Sequence, residues 1–109
     1  NIGAWNTGNN TNLFATFYEA DAFNQSLTNW DTSKVTNLNN TFAFANSFNG
    51  NVSGWNTGLV TNMSETFRDS PIFNQSLNSW NTANATNMFA MFYNSDSFNQ
   101  NLNNWNTAN

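Results

Sequence analysis

The sequence predicts an α/β solenoid: a right-handed coil of 25 residues per turn, each turn carrying one short parallel strand and one short helix. Three observations predict it. Trp5, Trp30, Trp55, Trp80 and Trp105 are the only tryptophans and stand 25 residues apart each time. Seven positions are identical in all four complete turns, and each turn holds a capping residue followed by apolar residues at helical spacing. A fixed period of about 20–50 residues marks arrays in which equivalent residues stack from repeat to repeat. The expected organisation is a single array over 1–109, with full repeats 5–29, 30–54, 55–79 and 80–104 and partial turns at both ends. Neither end has an atypical, polar capping repeat, so the expectation is a piece of a longer array.

The strand is expected around tryptophan, as in Leu27-Thr28-Asn29-Trp30-Asp31-Thr32, where β-compatible Trp and Thr lie between loop-forming residues. The helix is expected to start at Asn12, Asn37, Asn62 and Asn87, each acting as N-cap. Asn62-Met63-Ser64-Glu65 has the capping-box spacing. Met63, Phe67 and Ser70 then fall at i, i+4 and i+7, and Pro71 stops the helix after about two turns. Leu13/Phe17/Ala20, Leu38/Phe42/Ala45 and Met88/Phe92/Ser95 repeat that face. Right-handedness follows from the strand–crossover–strand rule. The tryptophans, both phenylalanine ladders (17/42/67/92 and 23/48/73/98) and the columns of Leu13 and Leu27 form the expected core. Asn24, Asn49, Asn74 and Asn99 are read as a structural ladder, because an amide both donates and accepts at a coil corner.

The strand segment, Leu27-x-x-Trp30-x-Thr32, matches the L-x-x-L-x-L signature of leucine-rich repeats. The segment Val60-Thr61-Asn62-Met63-x-x-x-Phe67-x-x-Ser70-x-x-Phe73 resembles the second half of BspA-type leucine-rich repeats. The whole unit is similar to the 25-residue repeat of mycoplasma and lactic-acid-bacterial surface proteins. That resemblance runs from Trp5 to Asn109 and implies a leucine-rich-repeat-like coil and a cell-surface setting. Asn10 and Ala85 replace the usual Val, and Gly50-Asn51-Val52 replaces Gln-Ser-Leu.

Only 7% of residues are charged, and asparagine, with 27 copies, supplies the polar surface. A net charge of −4 with one lysine and one arginine gives no basic stripe for phosphates or anionic lipid. No apolar run approaches the roughly 20 residues of a membrane helix. Histidine and cysteine are absent, which removes the commonest bases, nucleophiles and zinc ligands. Five of the six acids fall on the expected helix or just after it. Glu19, Asp21, Asp69 and Asp96 are too sparse for the six to eight oxygens of a calcium site. No enzyme, cofactor or metal is expected. The seven Asn-x-Ser/Thr sequons follow from the repeat consensus, and Asn24, Asn62 and Asn74 among them belong to structural ladders, which implies a chain made without eukaryotic N-glycosylation.

By elimination and resemblance, the expected function is a non-catalytic, extracellular cell-surface module for adhesion and spacing. Its candidate interaction face comprises Asn6, Asp31, Asn56 and Asn81, with Ser33, Lys34, Leu59 and Asn84 beside them. The expected partner is a host or neighbouring-cell surface protein or glycan, or another such array. The alternative is a lectin-like or ice-binding solenoid, which exposed tryptophans or a flat outward threonine column would favour. Thr7/Thr32/Thr57/Thr82 are assigned inward, and Thr11/Thr36/Thr61/Thr86 to the run before the helix cap.

Overall fold

In the computed structural model, which describes residues 1–108, each 25-residue repeat closes one winding, and equivalent residues lie in register on adjacent windings. Asn12 bridges Asn37, Asn37 bridges Asn62, and Asn62 bridges Asn87, all in parallel. The molecule measures 35 × 32 × 20 Å along its principal axes. Asn109, with which the partial last turn closes, lies outside the described residues.

The expected α/β class is overturned. The described residues contain no helix and no strand; the only β-type pairing among them is those single-residue bridges, at the asparagines and not near the tryptophans. The windings are built from consecutive β-turns. In the second repeat Trp30 N donates to Leu27 O, Val35 N to Thr32 O, Thr41 N to Leu38 O, Ala45 N to Phe42 O and Phe48 N to Ala45 O, at 3.0–3.2 Å. The first and last residues of these turns are all buried. The ends of these turns therefore face inward; corners Thr28, Asn29 and Lys34 are exposed, whereas Ala43, a corner of the Phe42–Ala45 turn, is buried.

Spacing explains why no helix forms. Phe17, Phe42, Phe67 and Phe92 stack at 5.3–5.8 Å between centroids, Phe23, Phe48, Phe73 and Phe98 at 5.7–5.9 Å, and the tryptophans at 6.0–6.3 Å. An α-helix with side chains is about 10–12 Å across. A coil with helices must fan open on that side, and this stack has nearly the same step at all three ladders. The backbone uses left-handed residues instead. Ala15, Glu19, Asn40, Phe44, Glu65, Asp69, Ala90 and Asn94 have φ of 51–58°, two per winding and none of them glycine or β-branched. They sit third in their turns, the position that demands positive φ in a type II turn. This arrangement aims alternate amides at the next winding. Leu13, Ala15, Phe17 and Glu19 donate to the carbonyls of Asn37, Asn39, Thr41 and Ala43 at 2.8–3.0 Å, and the pattern recurs one and two windings on. A helix would have kept those amides to itself.

The core is the aromatic interior with its polar lining satisfied. Phe42, Phe48, Phe67, Phe73, Leu27, Leu38, Val52, Met63 and Leu77 are wholly buried. Trp30, Trp55, Trp80 and Trp105 each donate Nε1–H to a carbonyl of the preceding winding, at 2.8–3.0 Å. Buried Thr7, Thr32, Thr57 and Thr82 donate to Asp31, Asn56, Asn81 and Asn106 carbonyls. No buried side-chain nitrogen or oxygen among the described residues lacks a partner, which is what a thin core needs, since an unpaired buried polar atom costs about 1–3 kcal/mol.

Candidate interaction face

The stretch from residue 6 to residue 12 of each winding forms a side of extended chain. In the second, third and fourth windings Val35, Val60 and Ala85 point inward and are buried, while their flanking residues are exposed. Asn10, at the same position in the first winding, is exposed.

Asn6, Asp31, Asn56 and Asn81 are all exposed. Each side-chain oxygen accepts the amide two residues on, from Gly8, Ser33, Gly58 and Ala83, at 3.0–3.3 Å. This is an Asx turn, which presets the side chain. Gly8 and Gly58 leave little room: a Cβ at either would stand 3.1–3.2 Å from the neighbouring carboxylate or amide oxygen. Next to them Lys34 Nζ donates to Asn9 Oδ1 at 3.1 Å, Asn84 Nδ2 donates to Gly58 O at 2.6 Å, and Leu59 is exposed. Ser33 is half-buried. The side-chain and backbone hydrogen bonds from Ser33 hold the Asp31 carboxyl below its ordinary range, with Lys34 adding to the effect.

Thr11, Thr36, Thr61 and Thr86 complete the face, and the sequence reading did not include them. All four are exposed. From the second winding on, both the amide and Oγ1 of each threonine donate to the carbonyl of the threonine one winding before, at 2.9 Å and 3.2–3.4 Å. Assigning them to a helix cap concealed this. The signal that finds them is the alternation Lys34-Val35-Thr36 and Leu59-Val60-Thr61, which puts the apolar residue in and its neighbours out. Asn12, Asn37, Asn62 and Asn87 follow as Asx turns, accepting from residues 14, 39, 64 and 89 at 2.8–3.0 Å. The cap-like bond was expected, and the helix it was meant to start is absent.

Two of the acids bridge adjacent windings. Asp21 Oδ1 accepts from Asn46 Nδ2 at 2.7 Å, and Asp69 Oδ1 from Asn94 Nδ2 at 2.8 Å. Arg68 pairs with Glu65 at 2.7 Å and with Asp69 at 3.0 Å, and these bonds raise its already high pKa. Partial desolvation, with Glu19 alongside, raises the Tyr18 hydroxyl. Among the described residues no three acids meet as a metal-binding group, and no helix is long and apolar enough to cross a membrane. An open depression of about 540 Å³ lies between residues 1–4 and 25–29, lined by Asn1, Gln25 and Asn29 without any acidic or basic side chain.

Fold and face together define a repeat protein of stacked turns with a sparsely charged polar side. Its residues 26–109 match the family described as "Mycoplasma protein of unknown function, DUF285". The chain belongs to that family. No curated protein and no solved structure matches it.

Proposed function

We propose that this chain is a non-catalytic interaction module of a bacterial cell surface, binding its partner through the side formed by the residue 6–12 stretch and its equivalents. The carrying observation is the preset polar face: four exposed Asx side chains fixed by hydrogen bonds, with exposed threonines of which Thr36, Thr61 and Thr86 are fixed likewise. Preorganised donors and acceptors lower the ordering cost of binding. The BspA-like signature from Val60 to Phe73 supports kinship with bacterial surface repeats at the level of sequence, and with it an extracellular setting. Absence of histidine and cysteine supports a binding role over chemistry.

The partner is a surface protein or glycan of a host or neighbouring cell, or another such array. Nucleic acid and bilayer insertion are not part of this reading. The face carries only Asp31 and Lys34 as charges, so contacts there rest on hydrogen bonding and shape and respond weakly to salt. The test is binding to glycan and matrix-protein arrays at low and high ionic strength, with Thr36→Lys/Thr61→Lys as the disrupting variant. Binding that survives this variant, or turnover of a small substrate by the chain, overturns the reading. The exposed threonine column favours one second reading, binding to ordered water at an ice surface. Thermal hysteresis abolished by the same variant would establish that instead.

A further inference from the structure

Five aromatic residues stand outside the repeated ladders: Phe14, Tyr18, Phe44, Phe89 and Tyr93. The core does not need them. All five fall in the turn segment that follows the polar face, at residues 14–19 of the first winding and its equivalents. None is buried, and Phe14, Tyr18, Phe89 and Tyr93 are exposed.

They form an ordered strip across four windings. Tyr18 meets Phe44 edge-on at 5.5 Å. The Arg68 guanidinium lies 5.5 Å from the Phe44 ring centre and 5.4 Å from that of Tyr93. It is held there by Glu65 and Asp69. The charge of the molecule is concentrated on the same segment. Glu19, Glu65 and Asp69 lie there with Arg68, and Asp21 and Asp96 stand two residues beyond it, which together account for the net −4; Asp31 and Lys34, on the polar face, offset one another.

Arg68 shows what this surface accepts: a guanidinium between two ring faces, neutralised by two carboxylates. The first and fourth windings also hold exposed aromatic and acidic side chains, without a cation. Glu19 interacts with the Tyr18 hydroxyl; Asp21, whose Oδ1 accepts from Asn46, follows two residues on, and Asp96 follows Tyr93 by three residues. We infer that the strip Tyr18–Phe44–Arg68–Tyr93 is a second interaction surface, and that it takes an extended, arginine-rich segment of a partner protein. Cation–π contact and charge complementarity act together here. An extended peptide repeats its side chains on one face about every 6.6 Å. The windings step by 5.3–5.9 Å at the phenylalanine ladders, so an Arg-x-Arg pattern offers about one guanidinium per winding.

This inference stands apart from the polar face, and the experiment separates the two. Labelled nona-arginine is titrated against the chain, with a neutral Gly-Ser peptide of equal length as control. Binding is expected at about 20 mM salt and should weaken at least tenfold at about 300 mM, because exposed charge pairs are screened. The double variant Tyr18→Leu/Tyr93→Leu keeps apolar bulk and removes the ring quadrupole; it should lose about tenfold in affinity at low salt. Intrinsic tryptophan fluorescence checks that it remains folded, and Thr36→Ala/Thr86→Ala on the polar face should bind nona-arginine unchanged. Three results overturn the inference: no binding at low salt, equal binding by the leucine variant, or displacement of the peptide by neutral oligosaccharides, which would make the strip a glycan platform.

Discussion

The second and third windings carry the same ladder residues as the first and fourth, yet bury them differently. Phe42, Phe48, Phe67 and Phe73 are fully enclosed, whereas Phe23, Phe92 and Phe98 are only partly buried. Trp55 is 3% exposed and Trp5 is 61% exposed. Identical side chains on the same backbone thus receive their burial from the windings above and below. Stability in such a stack is approximately a sum of nearest-neighbour interfaces, so one substitution should have different costs at different levels.

The largest expected effect uses that gradient directly. Phe67→Ala should destabilise by about 3–5 kcal/mol, the range for deleting a buried aromatic. Phe92→Ala, with a half-buried ring, should cost clearly less in the same urea titration. Equal costs would break the comparison and show that the chain unfolds without regard to level. A loss below about 1 kcal/mol at Phe67 would contradict a buried ladder altogether.

Gly50 sharpens the comparison within the middle of the stack. It stands where the other windings have Gln, and a Cβ there would lie 2.1 Å from Gln25 O and 2.7 Å from the Phe48 ring. Gly50→Ala must therefore push two windings apart, and about 1–3 kcal/mol is expected, as for overpacking a filled site. Gly54 is the contrast: its nearest neighbour is Thr28 O at 3.5 Å, so Gly54→Ala should leave the melting temperature nearly unchanged.

Trp80 and Trp5 give the next step down. Trp80→Phe would remove the indole N–H bond to Val52 O at 3.0 Å and leave that carbonyl only the Trp55 amide at 3.1 Å, costing about 0.5–1.5 kcal/mol. At exposed Trp5 the same change should be close to neutral. Thermal denaturation of both variants measures the difference, and a neutral Trp80→Phe would remove the winding-to-winding bond from the account of stability.

The smallest effect is at Asp31. Its folded-state pKa is depressed, so its contribution is present above the unfolded value and is lost as pH falls through the folded one. The loss should therefore lie on the acid side of 3.8, the carboxyl's ordinary value. An NMR titration of the Asp31 carboxyl checks this. Ser33→Ala, which deletes the side-chain donor, should bring the midpoint back toward that value.

The period, the register and most of the core were legible, because tryptophan and phenylalanine ladders repeat without a break. The local conformation was not. Leu38, Phe42 and Ala45 at i, i+4 and i+7 satisfy a helical face, and they equally satisfy turns that begin at Leu38, Phe42 and Ala45 with their ends inside. The discriminating fact was present in the sequence: inward residues three apart continue through Leu27–Trp30 and Thr32–Val35, where no helix was expected. The positive φ at Ala15, Phe44 and Glu65 carries no residue signature at all, since none is glycine. For the candidate face, the Asx column was found by its outward position, while the threonine column was hidden by the helix assignment. The aromatic strip was hidden because its position is not filled alike: Tyr18, Arg68 and Tyr93 share one repeat position that is Ala43 in the second winding, where Phe44, 26 residues from Tyr18, supplies the ring.

The tryptophan stack also has an optical consequence. Consecutive indoles from Trp5 to Trp80 are 6.0–6.3 Å apart with planes inclined by only 4–16°. Chromophores so close and so nearly parallel absorb as a coupled set and exchange excitation among themselves. Because the rings share one orientation, that exchange scarcely rotates the emitted polarisation, so the intrinsic fluorescence of the folded chain reports on the stack as a whole, not on any one indole.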